Sequence, residues 1–323
     1  MYRLVLLAPL TAALLGAAPL PSAVPLGTFS TWLGFDRKPL HIVSGGVEVS
    51  VEALPCSTNT NTESTCYFEG YNNQAAITVT APGLPPFRTI SSNQAMYVRV
   101  AVAWIDRRDP RPGLVIDNQS GGSGGDTRVE VLQPGGDGYS SIPLTARNAT
   151  SRDGRMIQGE IADGVGDLTG DGRIDLVLRD PAFDSTFGCN ACTPRPPMVL
   201  SIVDGHAVDL SADPSARPVF ARDMIARRAG CRSHHDRNGE CAAYVADAAR
   251  LGQFAAGWRD MLAHYDRQDQ LPVPQGCTAP RQTNGRCPPG EQTRYRTFLE
   301  SLRAFLVTTG YVTAAEAAAA PLR

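Results

Sequence analysis

With 323 residues, 42% of them hydrophobic and 19% charged, the chain is long enough for two domains and has a globular composition. A net charge of -2 excludes a broad basic face of the kind that binds nucleic acid. Lys38 is the single lysine, so arginine supplies nearly all the positive charge.

The chain opens Met1-Tyr2-Arg3 and continues LVLLAPLTAALLGAA, with small residues up to Ala23. A short charged segment, an apolar run and small residues form the pattern of a secretory signal peptide over 1–23. The run is too short for a comfortable membrane span, and no later segment is long and apolar enough to make one. The expectation is an exported protein with no transmembrane segment once the signal is removed.

Eight cysteines agree with an oxidising compartment. Cys56/Cys66, Cys231/Cys241 and Cys277/Cys287 each stand ten positions apart, and Cys189/Cys192 form a CNAC. Eight cysteines permit 105 pairings. Local pairing is the simplest expectation, because the intervening loops are polar and rich in turn formers. For CNAC, a redox or zinc role lacks both a following helix and a second CxxC, so a structural disulfide is expected.

Residues 24–90 read as a β-rich N-terminal region. Val47-Glu48-Val49-Ser50-Val51 and Ala76-Ile77-Thr78-Val79-Thr80 have strand character, and Pro, Gly, Asn and Ser clusters separate them. Residues 91–215 continue in strands, beginning with Tyr97–Val102. Two stretches there share one order of strand, long loop, strand, Asp-Gly turn and strand. The first runs through 113–117, 128–132, Asp137-Gly138 and 142–144; the second through 175–178, 198–203, Asp204-Gly205 and 208–210. Aligning their Leu-Val pairs puts Asp109 on Asp171, so the first copy reads as a unit whose ion loop has decayed.

The second stretch is led by GDLTGDGRIDLVL. Asp167, Thr169, Asp171 and Asp175 occupy positions 1, 3, 5 and 9 of a calcium-type loop, and Arg173 at position 7 can offer its carbonyl. A hard cation takes six or more oxygens at one point, which a loop alternating carboxylates with glycine can fold inward. Leu178 stands where an EF-hand would carry a bidentate Glu, and the flanks are strands. A polar turn with solvated aspartates is the plainer reading of the same residues. The motif DLTGDGRIDLVL resembles the loop-then-strand element of FG-GAP/VCBS-type repeats, the calcium-binding blades of integrin-like β-propellers. It matches at Asp167, Asp171, Gly172 and Asp175, and departs at Thr169, where Asp or Asn is usual. The resemblance covers one clear unit and one partial unit. It implies a calcium-stabilised β unit, as in extracellular binding or scaffold proteins.

Gly121–Gly125 fits the G-x-S-x-G formula around Ser123, but a strand-like segment follows where a nucleophile elbow demands a helix. His234-His235-Asp236 reads as a solvated loop tip, and His41, His206 and His264 are isolated. Residues 216–323 read as an α-helical, cysteine-containing domain. Trp258, Met261, Leu262 and Tyr265 share one helical face, as do Tyr295, Phe298, Leu299, Leu302, Phe305 and Leu306. A helical hairpin is expected over 241–265 and a further helix over 290–309, with AAEAAAAPLR as a frayed tail.

The sequence therefore specifies an α+β protein: a β-rich part with FG-GAP-like units, then a disulfide-bonded helical domain. The functional expectation is an exported, non-catalytic binding or scaffold protein with structural calcium held by Asp167, Thr169, Asp171, Arg173 and Asp175. Its partner would be an unidentified protein or envelope ligand. The alternative is an exported hydrolase whose site is assembled from distant residues.

Overall fold

The computed structural model describes residues 21–35, 38–55, 66–68, 71–91, 95–120, 127–142, 144, 161–162, 164–184, 186–188, 193–233, 237–269, 273–277 and 287–322. The signal-like segment lies almost wholly outside them, as do Cys56, Cys189, Cys192, Ser123 and His234–Asp236. The chain is α+β, with β-rich N-terminal sheets and a helical C-terminal region.

Strands β1 (Ser22–Ala23), β2 (Ser30–Leu33), β3 (Leu40–Ser44), β4 (Val47–Pro55), β5 (Cys66–Phe68), β6 (Tyr71–Thr80) and β7 (Phe87–Ile90) come first. All but β2 form one sheet in which β3, β4, β6 and β7 are successive antiparallel neighbours. The alternation in β4 does what it predicts: Val47, Val49 and Val51 are buried while Glu48 and Glu52 face solvent. The hairpin between β3 and β4 turns through Gly45 and Gly46, both at positive φ (53° and 80°), where a side chain would be strained.

The second sheet contains β8 (Ala95–Ala103), β9 (Gly113–Ser120), β10 (Thr127–Gly135) and β11 (Gly138–Ile142), again an antiparallel meander. β2 crosses from the earlier part of the chain to pair with β8, Trp32 opposite Val98. The third sheet joins β12 (Asp175–Arg179), β13 (Pro197–Val203) and β14 (His206–Asp209). The segment before β12 runs antiparallel to it through two isolated bridges, Ile161 with Leu178 and Gly166 with Asp175.

The three sheets stack. Val49, Val51, Ile77 and Val79 of the first meet Val98, Val100, Leu114 and Ile116 of the second in one core. The other face of the second sheet, with Ala101, Ala103, Val115, Val129 and Val131, packs on Ile174, Leu176, Leu178, Leu200 and Ile202 of the third. The second sheet is therefore apolar on both faces, and each valine, leucine or isoleucine it buries contributes about 1.5–3 kcal/mol. The far face of the third sheet, through Val177 and Val199, is covered by Val219 and Phe220 of the first helix.

That helix, α1 (Arg217–Ser233), is followed by α2 (Arg237–Arg250), α3 (Phe254–Leu262), a short pair β15 (Gly276–Cys277) and β16 (Gln292–Thr293), then α4 (Phe298–Thr308) and α5 (Ala314–Ala319). Three expectations are corrected here. Helix α1 was not anticipated, because its arginines interrupt any clean apolar stripe; only Val219, Phe220 and Cys231 are buried. The expected helix over 290–309 is confined to α4, with β16 occupying part of its N-terminal portion. The tail is not frayed. Thr313 and Glu316 close a capping box on α5, Ala317 and Ala320 are buried, and Trp258 Nε1 donates to the Pro321 carbonyl at 2.8 Å.

Two of the four local cysteine pairs lie among the described residues, and both are disulfides: Cys231–Cys241 and Cys277–Cys287. Cys231–Cys241 differs from expectation in its setting. It joins the last turn of α1 to the first turns of α2, so most of that ten-residue interval is helical. No described helix is long and apolar enough to cross a membrane.

Candidate metal site

The loop 166–175 is built from carboxylates that tie down backbone amides. Asp167 accepts from Gly170 N (2.7 Å) and Asp171 N (3.0 Å) on Oδ1 and from Gly172 N (3.0 Å) on Oδ2. Gly170 and Gly172 take positive φ (77° and 85°), which lets those amides turn inward. Asp175 begins β12, fixed by its register with Ser201 and by its own N–H donating to the Gly166 carbonyl at 2.7 Å. Its Oδ2 accepts from Leu168 N (2.8 Å) and Thr169 N (2.9 Å).

Asp171 faces a different partner. Its Oδ1 accepts from Arg173 N and its Oδ2 from Arg173 Nη1, each at 2.9 Å. The backbone bond to Arg173 is the largest influence holding this carboxyl below its usual range. Of the five residues expected to bind an ion, Asp167, Thr169 and Asp175 are woven into one loop. Asp171 and Arg173 neutralise each other at its rim. Among the described residues no three His, Cys, Asp or Glu side chains gather as a metal cluster.

The side chains of Asp167, Thr169, Asp171 and Asp175 present only oxygens. Asp175 is fully buried, and its Oδ1 receives no hydrogen bond. Thr169 Oγ1 is also buried without a partner of normal geometry, close enough to Asp171 to help hold that acid down. A buried carboxylate oxygen with no donor carries a desolvation cost of order 1–3 kcal/mol, or more because it is charged. Oxygen ligands of this kind suit calcium.

The aligned loop of the second sheet, 104–112, lies beside this one. Arg107 N donates to the Gly172 carbonyl (2.8 Å), and Ile174 N donates to the Ile105 carbonyl (3.0 Å). Asp109 repeats the geometry of Asp171: Oδ1 accepts from Arg111 N at 2.9 Å, and the Arg111 side chain folds back onto the same carboxylate. Asp106 and Arg108 make the same turn, and the Arg108 hydrogen bonds bring the Asp106 carboxyl down to about 2. At the position aligned with Asp175 stands Gly113, where a Cβ would come within 2.3 Å of the Leu132 carbonyl oxygen and 2.4 Å of Ile105 Cγ1. That loop has no room for the buried acid.

The described histidines are dispersed. His41 Nε2 lies 3.9 Å from Glu52, and His206 is exposed on β14. His264 Nδ1 lies 2.8 Å from the Asp260 carbonyl oxygen and 3.8 Å from its carboxylate. Burial works against ionisation of Asp260, but Arg228, Arg232 and Tyr244 outweigh it and hold the carboxyl at about 2. Sequence reasoning overlooked a second polar cluster, where β12 meets α1 and α2. The available signal was Asp247, one acid within the apolar run Cys241–Ala249.

The helical region, residues 220–310, matches the family described as the sll0997 C-terminal domain. Over 295 residues, 87% of its length, the chain is 26% identical to the uncharacterized protein y4bJ of Sinorhizobium fredii, of which it covers 42%. Over 214 residues it is 27% identical to the probable thylakoid lumen protein sll0997 of Synechocystis, covering 65% of this chain and 59% of the relative. The chain thus spans about half the length of the curated relatives it matches. No solved structure matches.

Proposed function

We propose that this is an exported, non-catalytic binding or scaffold protein in which the 167–175 loop holds a structural calcium ion. The observation that carries the reading is the buried Asp175 Oδ1, which has no hydrogen-bond donor, beside the buried Thr169 hydroxyl. Asp167, Asp175, Thr169 and the Arg173 carbonyl would hold the ion, with Asp171 joining when it leaves the Arg173 guanidinium. The ion would supply the positive charge that the Asp175 carboxylate lacks and would fasten the turn into β12. Because this loop is hydrogen-bonded to the 104–112 loop, the ion would also stiffen the seam between the second and third sheets. Export is supported by the N-terminal pattern, by the two disulfides and by similarity to a protein named for the thylakoid lumen.

Thermal unfolding with calcium and with chelator tests this reading. With one acid fewer than the usual set, the dissociation constant is expected at about 10⁻⁴ to 10⁻³ M. At a hundredfold excess over that constant the folded state gains ~2.7 kcal/mol, a rise of several degrees in melting temperature. Asp171→Asn should erase most of the shift, and Asp109→Asn should leave it nearly intact. A parent melting curve indifferent to calcium and chelator returns the loop to a plain turn.

A further inference from the structure

The helical region is joined to the third sheet by a polar cluster that the calcium reading does not use. Arg179, the last residue of β12, donates through Nη1 to Asp223 Oδ1 on α1 at 2.8 Å. Arg227, one turn further along α1, donates to Asp223 Oδ2 (3.2 Å) and to Glu240 Oε2 on α2 (2.8 Å). Asp223 thus bridges sheet and helix with both oxygens engaged by guanidinium groups. Asp247 on α2 is fully buried, and neither of its carboxyl oxygens receives a hydrogen bond.

The strongest charged influences on Asp247 come from two elements. From α1 they are Asp223 and Arg227, and from β12 Arg179. Beyond them lies Tyr311, which donates to Asp180 Oδ2 at 2.7 Å, with Arg250 of α2 stacked 4.2 Å over its ring. Asp209 acts on Asp180 from β14. The donors are spent on Asp223, so an ionised Asp247 would be a buried charge with a second carboxylate for a neighbour and no hydrogen bond. Such a group favours its protonated form. Burial first, and Asp223 second, push the Asp247 carboxyl well above its ordinary range.

We propose that Asp247 is a proton-held latch: α1 and α2 sit on the third sheet while this buried, unpartnered acid keeps its proton, and their docking weakens as rising pH removes it. The sign follows from linkage. In the undocked state Asp247 ionises at an ordinary carboxylate pH, while docked it stays protonated. Opening therefore releases one proton and becomes about tenfold more favourable for each pH unit, starting just above the ordinary carboxylate range. The increase stops once docked Asp247 has itself ionised.

Hydrogen exchange of the α1 and β12 amides, corrected for the intrinsic pH dependence of exchange, reads this directly. Asp247→Asn keeps the shape and an N–H donor toward Asp223 but has no proton to lose. The ratio of opening constants, parent to variant, should rise about tenfold from about pH 5 to pH 6. Equal pH dependence in parent and variant overturns the latch. If Asp247→Asn does not fold, carbon-13 NMR of the aspartate carboxyls in the parent keeps the question open to decision. A carboxyl still protonated at pH 6 and retained in Asp180→Asn supports the latch; every aspartate ionised by pH 5 refutes it.

Discussion

A partly buried ion pair lies at the seam between the second and third sheets, and its removal is expected to be costly. Arg99 on β8 stands directly opposite Asp117 on β9, on the face that packs toward the third sheet. Asp117 is fully buried, and both Nε (2.7 Å) and Nη2 of Arg99 donate to its Oδ2. The same Nη2 donates to the carbonyl of Ile161, which bridges to β12, at 2.9 Å, and the guanidinium lies 5.0 Å from the centre of the Phe29 ring. Arg99→Met keeps the aliphatic stem but leaves Asp117 charged and buried, which costs about 3–5 kcal/mol. Losing the donor to Ile161 adds about 1 kcal/mol, while Gln119 Nε2, 3.2 Å from Asp117 Oδ2, recovers a part. The expected destabilisation is about 4 kcal/mol, a large share of the 5–15 kcal/mol typical of a folded protein. Replacing both residues, Arg99→Met with Asp117→Leu, removes the charge together with its partner and should restore all but about 1–2 kcal/mol. Urea unfolding of the parent, the two single variants and the double variant, compared at constant m, measures each value. A loss under about 1 kcal/mol for Arg99→Met, or a double variant as unstable as the sum of the singles, refutes the reasoning.

Three further outcomes are expected. Arg173→Gln frees the Asp171 carboxylate from a partly exposed ion pair worth about 0.5–1 kcal/mol, so calorimetry should find calcium bound roughly two- to fivefold more tightly than in the parent. Gly113→Ala puts a Cβ against the Leu132 carbonyl and should cost more than about 2 kcal/mol in chemical denaturation, whereas Gly170→Ala, strained but with open space around it, should cost about 1–2 kcal/mol. Deleting residues 313–323 uncovers Trp258 and removes the acceptor of its indole N–H. Trp fluorescence should shift to the red and the melting temperature should fall, whereas a tail that merely frayed would leave both unchanged.

The loop at 167–175 shows where local reading succeeds and where it stops. Its spacing singles out Asp167 and Asp175, and the Asp167 carboxylate, followed closely by glycines, reaches the next few amides, whereas Asp175 reaches back to the amides of Leu168 and Thr169. The same spacing cannot say that Asp171 turns to Arg173, since a guanidinium two residues away competes with any ion for that carboxylate. Copy-to-copy alignment paired Asp109 with Asp171, and both adopt the same turn onto an arginine. At Gly113 an acid is excluded by the Leu132 carbonyl of the neighbouring strand β10 and by Ile105 of the loop itself.

Sequence alone determined the elements whose causes lie within a few residues. The valines of β4 alternate with glutamates, so one face had to be buried; Cys231/Cys241 and Cys277/Cys287 lie close enough along the chain to pair; and Trp258 and Met261 mark a helix face one turn apart. Tertiary structure decided what depends on distant partners. β2 leaves its sequence neighbours to pair with β8, because Trp32 is buried only between the first two sheets. Helix α1 has little apolar pattern of its own and is held by Phe220 against the third sheet, by Arg179 on Asp223 and by a disulfide to α2. Asp247 has the same side chain as every surface aspartate here, and it is burial in the assembled fold that pushes its carboxyl above the ordinary range. Alternation, capping and spacing act over a turn or a pleat, whereas burial and charge compensation are properties of the assembled packing.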